Sequence, residues 1–322
     1  LTEVSSSGRL SPPVFAYRMM GLLVHSEFEL PELRTAAKDR DHPDVVIRRG
    51  TVTSGPGVME SDGECAPYLV GPDGFYLERE HVGRYRVTGG DTVTVDACAG
   101  AADVDVRVFL LGSVFGALCY QRSLLPLHAS AVAHEGQGCA FAGPSGTGKS
   151  TISAGLCERG FGFVADDICP IAFTADGQPQ ILESVRKLKL SEETLGVLGQ
   201  EARGQLRDHQ ESPRYHIPVS ETADPFPVPL RNVYMFRRVD DGADLRIEEI
   251  APAYAVRCLQ QLTYMPRYPL AADEADEHFL RCVSLAGRVS LFEVYHRPGL
   301  ERLPGLLGGL SEHLRRTTST VT

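Results

Sequence analysis

Three observations predict an α/β protein that carries a glycine-rich anion-binding loop and is preceded by a small β-rich unit. Short apolar or alternating runs separated by turn residues fill the first third of the chain. A helical stripe follows from Asp103, and beyond it apolar strand-like runs alternate with helical ones around the octapeptide Gly143-Pro144-Ser145-Gly146-Thr147-Gly148-Lys149-Ser150. Alternation of that kind is the signature of a layered α/β core.

Along the chain, residues 1–13 and roughly 317–322 are rich in Ser, Thr and Pro and predict mobile ends. From Val14 to about Val95 come the runs VFAY, GLLV, DVVIRR, PYLV, FYLER, RYRV and TVTV, with turns at Gly71-Pro72-Asp73-Gly74 and Gly89-Gly90-Asp91. They predict a mostly antiparallel unit over 14–100. Asp103 to Leu124 places Val106, Leu110, Val114 and Leu118 on one stripe and stops before Pro126, so it reads as a buried helix joining this unit to a second one over 103–316. The apolar run Val108 to Tyr120 inside it is well short of the roughly 20 residues a spanning helix needs, so no membrane segment is expected.

In the second unit HASAVAH, GCAFAG and FGFVA read as strands, with a helix from Lys149 to Arg159. Val233–Phe236 and Leu291–Tyr295 read as further core strands, Ala253 to Leu262 as a helix, and Asp273–His278 as an acidic helix with a solvated face. Prolines and charges over 201–228 predict a long exposed segment, either a lid or an ordinary surface loop. The basic Leu314-Arg315-Arg316-Thr317 reads as a frayed helix end.

Composition narrows the function classes. A formal net charge of −10 over 322 residues argues against general nucleic-acid binding, which rests on Lys and Arg contacts to phosphates. Eight cysteines without a C-x-x-C pair fit neither a zinc site nor a disulfide framework, and LTEVSSSGRLSPP shows no export signal, so reduced thiols in the cytoplasm are expected.

The octapeptide satisfies G-x-x-x-x-G-K-[ST], follows an apolar run and opens a helical one, which is the setting that motif requires. Its glycines let several N–H groups face one anion, the helix N-terminus adds partial positive charge, and Lys149 can reach the terminal phosphates of a nucleotide. Ser150 would hold magnesium, and Thr151 completes the nucleotide-binding set. ATP with Mg²⁺ is the expected cofactor, although the loop alone does not define a reaction.

Asp166-Asp167 ends the run Phe163-Val164-Ala165, so both carboxylates are expected at a strand terminus. An adjacent acidic pair can also be only a solvated turn. The stretch ERGFGFVADDICPI, however, resembles the catalytic domain of bacterial HPr kinase/phosphorylase, where a glycine-rich loop is followed by R-G-x3-[VI]-A-D-D. The likeness extends from His128, in Leu127-His128-Ala129, to Asp167. It implies a P-loop kinase core of the HPr kinase and phosphoenolpyruvate carboxykinase type and transfer of phosphate to a serine hydroxyl. It further implies Asp166 as the base, with Lys149 as its catalytic partner, and Asp167 and Ser150 as metal ligands. His128 would neighbour the acidic pair, although a histidine before a small-residue strand is also commonly structural.

The family's R-G-L-G run is missing. Ile181 to Leu190 stands there instead, which puts the phosphorylase activity and HPr as substrate in doubt. That region is similar to a looser group of HPr kinase-like proteins found with ribosomally made peptides, including lasso-peptide kinases that phosphorylate a precursor's terminal serine. Gly21 to Glu27, Leu30 to Leu33 and Pro43 to Ile47 share the look of that group's amino-terminal half, which suggests an acceptor-recognition role for 14–100. By the same resemblance Arg186, Lys187, Lys189 and Arg214 would contribute basic groups to the site, although alternating basic residues also make a solvated strand face. The expected partner is a peptide or small-protein acceptor. Rival readings are a small-molecule hydroxyl as acceptor, and a nucleotide-dependent regulator without transfer activity. A homo-oligomer is implied by analogy with the family alone.

Overall fold

Period-two alternation in GRYRVT and TVTVDA buries Tyr85, Val87, Val93 and Val95 at 0–1% exposure and turns the intervening residues outward. The computed structural model describes residues 14–37, 42–61, 67–198, 205–206, 214–218, 226–242 and 244–318. The expected mobile segment 1–13 and most of the expected exposed segment 201–228 lie outside them.

The amino-terminal strands form one nine-stranded sheet. It begins with the hairpin Phe15–Met19 and Leu22–Ser26 and ends in a meander from Val58–Glu60 to Thr92–Ala97. Val45–Arg49 joins the two parts and is parallel to both of its neighbours, while the remaining pairs are antiparallel.

The helical stripe covers this sheet. Val106, Leu110, Val114 and Leu118 are at most 2% exposed and share one core with Val24, Phe75, Tyr85 and Val95. Contrary to the single helix expected from Asp103 to Leu124, two α-helices, Asp103–Phe109 and Phe115–Gln121, flank a π-helical turn at Leu110–Val114. Gly112 breaks the helical dihedrals there (φ −106°, ψ −108°), which a residue without Cβ accepts at little cost.

The second large sheet is mixed. Gln137–Ala142 lies antiparallel to Ala129–His134 and parallel to Val228–Arg238, which in turn runs parallel to Ser290–His296. Gly162–Ala165 closes one side of the sheet, antiparallel to Ala129–His134. One face buries Ala129, Ala131, Ala140 and Met235 under the helices Pro252–Gln261 and Ala275–Ala286. The opposite face buries Val132, Phe141, Tyr234 and Phe236 under Lys149–Cys157 and Leu303–Thr318. The architecture is therefore mixed α/β, with two large sheets and several helices. A further three-stranded sheet pairs Lys187–Ser191 with Arg214–Pro218 and the latter with Gln205–Leu206. Among the described residues no helix is long and apolar enough to cross a membrane.

Two expectations at chain ends change. The acidic helix begins only at Ala275, leaving Asp273 in a left-handed turn before it (φ 59°). The carboxy-terminal helix does not fray at Leu314 to Thr317: Leu314 and Thr318 are 0% and 3% exposed, and Asn232 Nδ2 donates to Thr317 Oγ1 at 3.0 Å. Burial of that last turn against the sheet outweighs its poor composition.

Gly116 allows the covering helix to approach the second half of the chain. A Cβ there would lie 2.7 Å from two ring carbons of Tyr264. Gly116→Ala is expected to destabilise the fold by about 1–3 kcal/mol through overpacking, despite alanine's better helix propensity. Urea unfolding at equilibrium measures it, and an unchanged midpoint would show that the Tyr264 ring yields freely.

Candidate active site

Gln137–Ala142 is a central strand, and the glycine-rich loop leaves its carboxyl end to start the helix Lys149–Cys157. Gly143 has φ 148°, and a Cβ on it would approach the Phe236 carbonyl oxygen to 2.9 Å, so the loop can pass the neighbouring strand only as glycine. Gly148 takes a left-handed conformation (φ 93°) as the helix N-cap. Lys149, 8% exposed, folds its ammonium onto the loop and donates to the carbonyls of Gly143 at 2.8 Å and Pro144 at 3.3 Å. Thr147 Oγ1 donates to the Pro144 carbonyl at 2.8 Å.

Strand pairing brings the acidic pair to this loop. In Ala129–His134, Ser130 has the same parity as Val132 and so faces the side covered by the loop helix. Gly162–Ala165 ends opposite Ala131 after a register shift and delivers Asp166 next to Ser130. Asp166 Oδ1 accepts from Ser130 Oγ and from Ser150 Oγ, the latter at 2.8 Å, while Oδ2 accepts from the Lys189 backbone N–H at 2.9 Å. The carboxylate is 7% exposed. Burial pushes its pKa above the usual range against the pull of these hydrogen bonds, and the neighbouring Asp167 adds to the rise.

Asp167 is placed differently. It adopts a left-handed backbone (φ 71°), an uncommon state for a residue other than glycine, and its side chain keeps 42% of its accessible surface at the floor of a cleft. Oδ1 lies 3.7 Å from His128 Nε2. Desolvation by itself would raise its pKa, but Lys189, His128, Lys149 and Lys187 outweigh that and hold the carboxyl below its ordinary value. His128 is tied down by its backbone N–H, which donates to the Leu262 carbonyl at 2.7 Å, and its ring lies 5.7 Å from that of Tyr264.

The basic residues separate. Lys189 lines the cleft with the acidic pair, and Lys187 lines a small cavity behind it with Gly112, Ser184 and Val185. Burial pulls the Lys187 amine down to about 8, against the favourable influence of Glu32 and Asp167. Arg186 turns away, donating through Nε and Nη2 to Glu183 Oε1 at 3.1 and 2.8 Å. Arg214 sits opposite Ser191 in strand register, and its side chain lies outside the described residues.

The cleft, about 800 Å³, runs past the loop, and the sheet order divides its lining into two arms, one on the side of Gly162–Ala165 and one on the side of Val228–Arg238 and Ser290–His296. One holds His128, Asp167, Tyr264, Phe109, Ser113 and Arg79, the last contributed by the amino-terminal sheet. The other is walled by Arg238, His296, Leu300, Arg302, Leu303 and Leu306. The sequence reading missed Ser130 and Arg79. The lone hydroxyl inside HASAVAH was a usable signal for Ser130, whereas nothing local marks Arg79.

The donors near the loop are a hydroxyl and two carboxylates, hard oxygen ligands that suit magnesium. Among the described residues no group of three or more His, Cys, Asp or Glu side chains could hold a metal ion. No protein-family model and no curated protein sequence matches the chain.

The half-buried Lys187 has a measurable consequence. Its folded pKa of about 8 lies below the 10.5 of a free amine, so between those values the unfolded chain binds more protons and stability rises with pH. The stability of the native protein relative to Lys187→Met is expected to climb as pH passes about 8 and to level off towards 10.5, as followed by urea unfolding from pH 7 to 10.5. A pH-independent difference would mean that Lys187 is not buried as a cation.

Proposed function

We propose that the chain is an ATP- and Mg²⁺-dependent kinase that transfers the γ-phosphate to a serine hydroxyl of a peptide or small protein, with a core of the HPr kinase type. The observation that carries this reading is the hydrogen bond from Ser150 Oγ to Asp166 Oδ1 at 2.8 Å, which ties the acidic pair to the glycine-rich loop. Phosphoryl transfer demands alignment and charge compensation more than covalent chemistry, and this arrangement supplies both.

In that reading the loop's N–H groups and Lys149 cradle the phosphates, and Lys149 exchanges its contacts to the Gly143 and Pro144 carbonyls for phosphate oxygens. Ser150 and Asp166 would hold the magnesium ion, which when bound supplies positive charge to the β- and γ-phosphates. Asp167 remains for the acceptor. It is open to the cleft and, with its lowered pKa, ionised at neutral pH, so it can orient the serine hydroxyl and accept its proton as transfer proceeds. His128 at 3.7 Å keeps that carboxylate in place. This division reverses the one the resemblance implies, because Asp166 is the carboxylate that accepts the loop hydroxyl of Ser150, whereas Asp167 is the one open to the cleft.

Paired variants separate the two assignments. Asp167→Asn should lower transfer at least about a hundredfold while leaving Mg-ATP affinity within a few-fold, whereas Asp166→Asn and Lys149→Ala should weaken nucleotide binding as well. The readout is a phosphate-mass gain on a panel of serine-bearing peptides and free hydroxylated metabolites, alongside calorimetric ATP titration. Retained transfer in Asp167→Asn would return the base to Asp166. A gain on metabolites alone would replace the peptide acceptor with a small molecule.

A further inference from the structure

The cleft arm away from the acidic pair has no role in the chemistry above, yet it is built at the carboxyl edge of the sheet. Val228–Arg238 and Ser290–His296 run parallel to the strand that carries the glycine-rich loop, with Met235 opposite Ala142 and Arg238 opposite His296. Three parallel strands therefore end side by side at the loop, and ligands of open α/β sheets lie beyond such carboxyl ends. The chain leaves His296 as Arg297-Pro298-Gly299-Leu300, and the short helical turn Leu300–Arg302 leads into the last helix.

This arm is apolar on one side and cationic on the other. Leu303 and Leu306 are 5% and 8% exposed and seat the partly buried Leu300 on the core beneath it. Asp244 Oδ1 receives Arg302 at 2.8 Å and lies 3.8 Å from Arg297, which fixes both guanidinium groups at the rim. Arg238 stands exposed at the end of its strand. His296 backs the wall at 5% exposure, its ring edge-on to Phe236 at 5.7 Å.

We infer that this arm is a nucleoside subsite, in which the base of a nucleoside triphosphate lies against Pro298 and Leu300 and is covered by the planar guanidinium of Arg238. The inference rests on the kinase reading, which fixes the direction of the ligand. The transferable phosphate must lie at Asp167 and His128, so the nucleoside must leave the loop by the opposite arm. An apolar floor with a stacking cation suits a flat aromatic base, because every base has a π face and a guanidinium stacks on it where an ammonium cannot.

Calorimetry on the full chain with magnesium, comparing ATP with inorganic tripolyphosphate, isolates the base from the phosphates. Arg238→Lys and Leu300→Asn both keep the charge, and Arg238, being exposed, carries little risk to the fold. The native protein should bind ATP at least about tenfold more tightly than tripolyphosphate, and each variant should shrink that ratio several-fold while leaving tripolyphosphate within about twofold. Equal affinity of the native protein for the two ligands would overturn the subsite while sparing the phosphate loop, as would variants that weaken both ligands alike. Binding of neither ligand would overturn the phosphate-loop reading and this one with it.

Discussion

The Asp166 carboxylate ties together parts of the chain that are far apart in sequence. Leaving a buried carboxylate unpaired costs on the order of several kcal/mol, so the fold must deliver donors to it. Three come from separate elements: Ser130 from a central strand, Ser150 from the first turn of the loop helix, and the Lys189 N–H from the small third sheet. Each donor fixes the position of its own element relative to the others. The spacing of the glycine-rich loop from the acidic pair thus follows from satisfying one charge, and the loop cannot drift from the pair without exposing or orphaning it.

The amino-terminal sheet is bound to this centre rather than appended to it. Its core includes Tyr264, Met265 and Ile168 from the second half of the chain, and its backbone reaches across, with Met20 N–H donating to the Glu183 carbonyl at 2.8 Å. Glu32 pairs with Arg107 at 3.0 Å, while its own carbonyl accepts the Arg186 N–H. The π-turn at Gly112 lies where these surfaces meet and lines both the cleft and the cavity holding Lys187. A continuous α-helix would carry a different set of side chains past the acidic pair. The break thus turns a packing helix into one wall of the site.

What was legible in the sequence follows the range of the interactions involved. Gly143 to Ser150 and Phe163 to Asp167 could be read because their geometry is local: glycines set the turn, the following helix supplies the dipole, and a short apolar run ends in charge. The stripe Val106, Leu110, Val114 and Leu118 was legible as a buried face, but its π-turn was not, since glycine inside an apolar helical run fits continuation as well as a break. Lys189 was expected through its side chain and serves Asp166 through its backbone, a role no residue type can announce. Arg79 reaches the cleft through the place of its strand, third from one edge of a sheet whose order cannot be read from alternation.

Electrostatics explain why such a site suits a polyanion. In a chain of net charge −10, Lys189, His128, Lys149 and Lys187 act together on Asp167 and hold its carboxyl below the ordinary value. The Lys187 amine shows what desolvation costs there, being pulled down to about 8 even though Glu32 and Asp167 favour its charge. Folding alone does not favour such an arrangement, because each buried ammonium loses hydration that its neighbours cannot replace. An anionic ligand removes the penalty by lying between the cations, and a low-dielectric cleft strengthens its attraction relative to water. Under the kinase reading proposed above, the same cationic side chains would favour a phosphate-rich ligand in the cleft.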